Sequence, residues 1–190
     1  TSRVSEQNLL RQYDLLINSV EIGFEKGIDY FDKYILWALN HAAVSNICQL
    51  GGRYRVGPIK VADHNPPHPD SVPLYMDDFF SVIHENWESE HLKADPLMLP
   101  AFALWRLNWI HPFIEGNGRT ARAVCYFLIC MRAGGLLGGR KIVPERIREN
   151  RAPYYAALRA ADEAYDAGQY NVTELSAYLS RLVKNQIRDE

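Results

Sequence analysis

Apolar residues recur with a period close to 3.6 along most of this chain, a pattern typical of amphipathic helices. Residues 9–20 show it first, and a second stretch over 32–50 is stopped by Gly51 and Gly52. The same spacing predicts helices over 73–87, 96–109, the segment from Gly118 to Met131, 151–167 and 172–187. We therefore expect a mainly α protein.

The composition fits one globular domain covering residues 1–190. With 47% hydrophobic and 12% aromatic residues, the chain can bury a full core, so disorder is excluded. Its 21 Lys and Arg against 23 Asp and Glu give a net charge of −2, which argues against a general nucleic-acid binder. The longest apolar run, from Ala123 to Met131, is much shorter than the roughly 20 residues that span a bilayer, so we expect no membrane segment. The scattered cysteines form no CxxC pair, so we expect neither a disulfide framework nor a zinc site.

One segment, 51–64, departs from helical spacing. Its β-forming side chains lie on either side of Gly57 and Pro58, a pattern that predicts a short β-hairpin. The next residues, 65–70, are rich in proline and predict a rigid loop. The β-forming residues are Tyr54, Val56, Ile59 and Val61.

The most informative segment is 111–122, which reads His-Pro-Phe-Ile-Glu-Gly-Asn-Gly-Arg-Thr-Ala-Arg. Gly116 and Gly118 let the backbone turn tightly and approach a ligand just before a helix begins. The free N–H groups and the dipole at that helix end favour an anion such as phosphate. Arg119 and Arg122 lie on one face of the first turn, where two cations are best explained by a polyphosphate ligand.

Three other residues of this segment complete a candidate site for phosphate chemistry. Asn117 adds a neutral donor at the loop tip. Glu115 offers a hard oxygen ligand, which Mg²⁺ prefers when it shares phosphates with a protein. His111 titrates near neutral pH and can take a proton from an attacking hydroxyl. A formal match to the dinucleotide-binding fingerprint is rejected because no strand of a βαβ unit precedes it.

The segment resembles the signature of Fic-domain proteins, H-P-F-x-[D/E]-G-N-G-R-x-x-R, and matches it at every fixed position. The similarity extends over most of the chain. Gly52–Arg55 resembles the family's flap, and the Pro66–Pro67 loop and residues 150–158 also resemble Fic sequences. The resemblance implies the helical Fic fold, with a small β-hairpin flap beside the active-site loop.

The resemblance also implies an activity, because most characterised Fic proteins use Mg²⁺ and transfer AMP from ATP to a target protein. The expected function is a protein adenylyltransferase that releases pyrophosphate. The resemblance implies that the acceptor is a Ser, Thr or Tyr hydroxyl, which His111 would deprotonate as general base. It also implies that Glu115 would bind Mg²⁺ between the α- and β-phosphates. Gly116, Asn117 and Gly118 are implied as an anion-binding nest, Arg119 as a contact to the phosphate oxygens and Arg122 as the holder of the γ-phosphate.

The family's flap and base pocket imply two further sets of residues. The flap would pair with an extended target segment through backbone hydrogen bonds, which tolerate varied sequence. Its docking residues are Val56, Ile59, Lys60 and Val61. The resemblance also implies that the pocket for the nucleotide base is lined by Asn150 together with Tyr154 or Tyr155. The alternative is that these residues only begin a helix and place aromatic rings in the core.

A second family feature is an inhibitory motif, [S/T]-x-x-x-E-[G/N], whose glutamate pairs with the second arginine of the signature. Residues 2–6, within an N-terminal helical segment over 1–28, supply its first five positions. Glu6 is then the candidate inhibitor, through an ion pair with Arg122. The sixth position is Gln7 where the family has Gly or Asn, and a polar N-terminal helix cap is the rival interpretation.

Other functions stay open at the level of sequence. Fic-type transfer of another phosphate-containing group and removal of AMP use the same loop. A non-enzymatic regulator that senses nucleotide and binds a peptide is a different class, but the intact His111 argues against it. The resemblance also allows a homodimer. No signal peptide is visible, which predicts a cytoplasmic location, while delivery into another cell as an effector stays open.

Overall fold

The computed structural model describes residues 3–61 and 64–189, and this part of the chain is built from α-helices. Two 3-10 turns, Ile28–Tyr30 and Pro69–Ser71, connect some of them. No helix within the described ranges has the length and apolar character needed to cross a membrane. The helices are α1 (Arg3–Lys26), α2 (Lys33–Val44), α3 (Val72–Asn86), α4 (Glu90–Ala94), α5 (Met98–Ile110), α6 (Asn117–Ala133), α7 (Val143–Glu149), α8 (Arg151–Asp166) and α9 (Thr173–Arg188).

Helices α5 and α6 form the centre of the fold. Helix α5 is mostly apolar, and every residue from Leu99 to Leu107 is buried, Arg106 included, as expected for a helix that lies inside a protein. Helix α6 packs along α5. On α6, the ring of Phe127 also lies against the ring of Phe31, which precedes α2, with the ring centroids 5.4 Å apart. Helices α1 and α2 pack against α6, while α3, α8 and α9 pack against α5. The loop between α5 and α6 is therefore held at both ends by core helices.

Most of the expected helices are present, but α2 ends at Val44 rather than at Leu50. The chain leaves the helical conformation at Ser45, and Asn46 is left-handed (φ 60°), which asparagine tolerates better than most residues. The side-chain amide of Asn8 on α1 donates to the carbonyl oxygen of Ser45 (2.7 Å) and holds this turn against the first helix. A contact from a distant part of the chain thus stabilises the turn. The spacing of apolar residues within 32–50 therefore could not predict where α2 ends.

The apolar spacing also misses the short helix α7. Pro144 lies in its first turn, where a missing N–H costs nothing. The carboxylate of Glu145 accepts the N–H of Ile142 (3.2 Å), which caps the helix start. Helix α7 leads directly into α8, and the junction between them lies beside the candidate site described below.

The hairpin expected over 51–64 is not confirmed. Among the residues of this segment that the structure describes, none belongs to a strand, and Val61 and His64 form an isolated antiparallel bridge. Pro58 has no N–H to donate to a ladder, and Gly57 has no side chain to pack against a neighbouring strand. The sequence pattern around these two residues therefore gives a bent segment rather than a regular pair of strands.

The buried side chain of Arg55 (2% exposed) holds this segment in place. Its guanidinium donates to the carbonyl oxygens of His111 (2.8 Å) and Pro67 (2.6 Å). The backbone N–H of Arg55 donates to the carbonyl oxygen of Pro112 (2.8 Å). Residues 51–61, called the flap segment below, are therefore tied directly to the loop between α5 and α6.

Candidate active site

Residues 111–122 form the turn between α5 and α6 and the beginning of α6. His111 follows α5 in a left-handed conformation (φ 51°), and its N–H donates to the carbonyl oxygen of Leu107 (3.0 Å). This conformation is uncommon for a residue other than glycine and turns the chain away from the helix axis. Helix α6 begins at Asn117, so the free N–H groups of its first turn follow the loop directly.

The side chain of Asn117 closes the loop on itself. Its Oδ1 accepts the N–H of Phe113 (2.9 Å), and its Nδ2 donates to the carbonyl oxygen of the same residue (2.8 Å). Both residues are buried. The amide of Asn117 is thus engaged in shaping the loop, and it is not the free donor at the loop tip that the sequence suggested.

Position 116 requires a glycine, both because of its backbone conformation and because α2 lies close to it. Its φ of 80° lies in the left-handed region, and a Cβ built on it would come within 2.5 Å of Cγ1 of Val44 on α2. The buried Asn40 of α2 fixes this close approach. Its Nδ2 donates to the carbonyl oxygen of Glu115 (2.9 Å), and its Oδ1 accepts the N–H of Gly52 (2.9 Å). Asn40 therefore joins α2, the flap segment and the loop, a role that sequence reasoning missed.

His111 is held as a neutral imidazole with one nitrogen available. Its Nδ1 lies 3.2 Å from the carbonyl oxygen of Asn108, a contact that requires Nδ1 to carry the hydrogen and leaves the lone pair on Nε2. Burial lowers the pKa of His111, against the opposing effect of the bond to Asn108, and the nearby charge of Arg55 also lowers it. A neutral imidazole near pH 7 is the state that a general base needs.

A pocket of about 440 Å³ opens beside the loop, α1 and the junction of α7 and α8. Among the described residues that line it are four arginines and one carboxylate, that of Glu115. This excess of positive charge, together with the start of α6, favours an anionic ligand with several oxygens. We call it the arginine pocket; its arginines are Arg119, Arg122, Arg148 and Arg151, and Gly116, Asn117, Gly118 and His111 also line it.

Glu115 and Arg119 form an ion pair at the wall of the arginine pocket, with Oε1 and Nη2 3.2 Å apart. The same oxygen accepts the N–H of Gly116 (3.1 Å). Arg119 is also anchored to α2, because its Nη1 donates to the carbonyl oxygen of Ala43 (2.6 Å). These contacts orient both side chains along the pocket wall.

The carboxylate of Glu115 fits a Mg²⁺ ion that is shared with phosphates. Within residues 3–61 and 64–189, no cluster of three or more His, Cys, Asp or Glu side chains could hold a metal by itself. The side chain of Glu115 is half exposed at the pocket wall. Mg²⁺ is commonly held by one or two carboxylates together with substrate phosphates and water, which this single carboxylate beside an anion pocket allows.

Arg122 is largely buried in the same pocket. Burial lowers the pKa of its guanidinium, and the nearby hydroxyls of Tyr154 and Tyr13 act in the opposite direction. In the part of the chain that the structure describes, no carboxylate forms an ion pair with Arg122. Its charge is therefore left for a ligand to offset.

The inhibitory contact expected from the N-terminal motif is not formed in this structure. Glu6 lies in the first turn of α1 with its side chain exposed, and it makes no ion pair with Arg122. The face of α1 that lines the arginine pocket carries Ser5 and Leu9, one turn apart, and Glu6 lies beside that face. Ser2, the first residue of the motif, lies outside the described residues.

A second pocket of about 710 Å³ adjoins the first and shares His111 and Tyr155 with it. Aromatic rings and convergent polar groups line this aromatic pocket, a combination common in sites for planar organic ligands. Besides the two shared residues, its lining includes Trp105, Trp109, Asn65, Asn108, Asp162 and Asp166.

Of the three residues implied for a base pocket, Tyr155 lines both of these pockets, and Asn150 and Tyr154 line neither of the two. Tyr154 is buried, and its hydroxyl accepts a hydrogen bond from Nδ2 of Asn108 (2.9 Å). Asn150 is exposed between α7 and α8. The position next to Tyr154 therefore faces the pocket, while Tyr154 itself packs in the core.

Besides Tyr155, the aromatic pocket contains residues that the sequence reasoning did not single out, among them Asp162 and Trp105. Tyr155, Leu158 and Asp162 lie on one face of α8, and their helical spacing is the signal that would have grouped them. Oδ1 of Asp162 accepts a hydrogen bond from Nε1 of Trp105 (2.8 Å), which fixes the carboxylate at the pocket. Trp109 lies two residues before His111.

The four flap residues expected to dock a target lie at different depths. Val61 lines the aromatic pocket. Val56 is 87% exposed, Lys60 is also exposed, and Ile59 is half-buried. The flap segment thus presents side chains to solvent and reaches the rim of the aromatic pocket at Val61.

Together, these observations define a helical domain with a glycine- and arginine-containing loop at the start of a central helix, beside a pocket lined by four arginines. A sequence model of the Fic/DOC family matches residues 30–129, which is more than half of the chain. The chain belongs to the Fic/DOC family.

Known proteins are similar to this chain in sequence and in fold. The protein adenylyltransferases Fic of Drosophila erecta and Drosophila yakuba are 32% and 33% identical to it over 163 residues. These matches cover 84% of this chain but 30% of each relative, so the chain spans less than a third of their length. A Fic domain-containing signaling protein from Bacteroides thetaiotaomicron superimposes with a TM-score of 0.77 at 17% identity, over 99% of this chain and 72% of that chain. Fic-1 from C. elegans gives a TM-score of 0.72 at 22% identity, over 99% and 51% of the two chains. Both structural matches show the fold.

Proposed function

We propose that this chain transfers AMP from ATP to a hydroxyl group of a target protein. The proposal rests on the position of His111, a buried imidazole with a lowered pKa that lines both the arginine pocket and the aromatic pocket. In a nucleoside triphosphate, the α-phosphate joins the charged phosphate chain to the aromatic nucleoside. A base that borders both pockets is therefore placed to act at the α-phosphate. The names of the Drosophila relatives support the same reaction.

ATP would place its triphosphate in the arginine pocket and its nucleoside in the aromatic pocket. The N–H groups at the start of α6 suit phosphate oxygens, and the planar guanidinium groups of Arg119 and Arg122 match their geometry. On the other side, Trp109 and Tyr155 offer aromatic surface to the base. The carboxylate of Asp162 can accept a hydrogen bond from an amino group of the base.

In the transfer step, Nε2 of His111 accepts the proton of the target hydroxyl as the hydroxyl oxygen attacks the α-phosphorus. A bond forms between that oxygen and the phosphorus. The bond from the α-phosphorus to the oxygen that bridges it to the β-phosphate breaks, and pyrophosphate leaves. Arg119, Arg122 and the start of α6 stabilise the charge on the phosphate oxygens.

Glu115 would hold a Mg²⁺ ion together with the phosphates, and such an ion neutralises charge on the α- and β-phosphates. The ion pair with Arg119 and the bond from the N–H of Gly116 keep the carboxylate at the pocket wall. The chain therefore contributes a fixed oxygen ligand and leaves the remaining ligands to substrate and water.

The target would bind along the flap segment in an extended conformation. Backbone pairing with an extended peptide needs no particular target sequence, which suits a flap with few buried side chains. Val56, Ile59 and Lys60 would contact the target, and Val61, at the rim of the aromatic pocket, would guide its hydroxyl toward His111. Arg55 fixes the flap segment to the carbonyl oxygen of His111, so the bound target and the base keep a constant separation.

The proposal is tested by incubating the purified chain with a cell lysate, Mg²⁺ and ATP labelled at either the α- or the γ-phosphate. We expect protein labelled by the α-phosphate and not by the γ-phosphate, with the label lost in His111→Ala. His91→Ala, which replaces an exposed histidine that lines neither pocket, is the matched control. Label from the γ-phosphate alone would mean phosphate transfer, and nucleotide binding without any label would favour another donor or a nucleotide-sensing regulator.

A further inference from the structure

Two arginines of the arginine pocket lie outside the signature segment. Arg148 is near the end of α7, and Arg151 begins α8. Nε of Arg151 donates to the carbonyl oxygen of Arg148 (3.3 Å), so both belong to the turn that joins the two helices. A basic stretch at a helix end is usually just solvated. Here the two arginines line the same cavity as Arg122.

In the part of the chain that the structure describes, neither arginine has a carboxylate partner. Glu149, which follows Arg148 directly, pairs instead with Lys141 (2.8 Å). Among residues 3–61 and 64–189, no ion pair includes Arg122, Arg148 or Arg151. Three guanidinium groups thus line one pocket without an internal counter-charge.

The three arginines line the same pocket as Tyr13 of α1. Burial raises the pKa of Tyr13 on α1 to about 12, and the charges of Arg122 and Arg148 both oppose that rise. Burial lowers the pKa of Arg122, and the charge of Arg151 lowers it further. Like charges within reach of one another repel, and a multiply charged anion between them would offset that repulsion.

The fourth arginine of the pocket, Arg119, already has a carboxylate partner. Arg119 is anchored to α2 through the carbonyl oxygen of Ala43, and its charge is paired with Glu115. The pocket is therefore lined by one balanced ion pair and, among the residues that the structure describes, by three arginines whose charges are not paired. A chain of several phosphates carries enough negative charge to pair with several of these arginines at once, whereas a single phosphate carries less.

We infer that Arg148 and Arg151 bind the terminal phosphates of a nucleoside triphosphate and thereby select triphosphate over diphosphate and monophosphate ligands. This inference rests on the proposed function for the identity of the nucleotide. It adds two specificity-determining residues, from the junction of α7 and α8, to those of the signature segment.

The test is calorimetric titration of ATP, ADP and AMP into the wild-type chain, Arg148→Gln and Arg151→Gln. Each variant should lose roughly fivefold to twentyfold in ATP affinity while its AMP affinity stays within about twofold. The loss should shrink as salt is raised, because salt screens partly exposed charges. Arg140→Gln removes an exposed arginine that lines neither pocket and should bind ATP as the wild type does. Arg151→Lys keeps the charge and should recover most of the affinity.

Equal losses for ATP and AMP, or an ATP affinity in both variants no lower than in Arg140→Gln, would overturn the inference. Inorganic tripolyphosphate separates it from the proposed function. If tripolyphosphate binds through Arg148 and Arg151 but no AMP transfer is seen, the polyphosphate site stands and the proposed transferase fails. If AMP transfer proceeds and neither arginine affects the binding of ATP or tripolyphosphate, the inference fails and the transferase stands.

Discussion

Nδ1 of His111 lies 3.2 Å from the carbonyl oxygen of Asn108, and this contact leaves Nε2 as the nitrogen that can accept a proton. Burial lowers the pKa of His111, so the imidazole is neutral at pH 7 and becomes protonated only as the pH falls through that lowered pKa. We predict that kcat/KM for AMP transfer is flat above neutral pH and falls below the ordinary histidine pKa of about 6.5. The measurement is a pH profile of transfer from α-labelled ATP.

His64 sharpens this prediction. It lines the aromatic pocket, and its charge acts to lower the pKa of His111. Replacement His64→Gln should therefore move the acid limb of the profile to higher pH. An acid limb above pH 7 in the wild type would contradict the account of His111.

We predict that Asn117 supports AMP transfer by stabilising the folded loop between α5 and α6. Asn117→Ala removes two hydrogen bonds to the backbone of Phe113 and leaves both buried groups without a partner. We expect the free energy of unfolding to fall by about 2 kcal/mol, and AMP transfer to fall as the loop loosens. Urea unfolding measures the first effect. Asn18→Ala, on the exposed face of α1, is the control and should change stability little; a similar loss in both variants would count against the loop-closing role.

Two glycines with the same backbone conformation provide a matched test of the close approach between the loop and α2. Gly134 has a φ of 83° with no atom within 4 Å of an added Cβ, so Gly134→Ala should cost about 1 kcal/mol for conformation alone. Gly116→Ala adds a clash with Val44 and should cost about 2–4 kcal/mol. Thermal or urea unfolding of both variants gives the comparison. If both variants lose the same free energy of unfolding, the close approach of α2 does not restrict the side chain at position 116.

Arg55 is predicted to hold the flap segment beside His111. Arg55→Ala removes buried, charge-assisted bonds to the carbonyl oxygens of His111 and Pro67, and we expect a loss of about 3 kcal/mol in the free energy of unfolding. Hydrogen exchange over residues 51–61 should become faster. Arg53→Ala, an exposed neighbour, should leave both measurements unchanged. Unchanged exchange in Arg55→Ala would show that the flap segment is held by other contacts.

Local sequence patterns were enough to predict most of the helices and to identify 111–122 as the candidate site. Apolar spacing indicates most of the helices because each helix buries one face. The composition of 111–122 indicates an anion-binding loop because two glycines and two arginines flank a helix start. These signals need only neighbouring residues, and in the structure the side chains of His111, Glu115, Arg119 and Arg122 line one pocket.

The parts that depend on distant contacts were not predictable in the same way. Asn40 reaches the carbonyl oxygen of Glu115 across 75 positions of sequence, and Arg55 reaches His111 across 56. Nothing in the local pattern marks either residue as a link. The end of α2 at Val44 and the lining of the aromatic pocket depend on tertiary packing for the same reason, since only folding brings Asp162 close to Trp105.

The central claim is that His111 acts as the base for transfer and is not needed to bind the nucleotide. The most direct measurement determines, on one preparation of His111→Ala, both the Kd for ATP and the rate of AMP transfer. We predict a Kd within about threefold of the wild type and a transfer rate reduced by at least about 100-fold. Loss of ATP binding in parallel with transfer, or transfer that continues at the wild-type rate, would contradict the account.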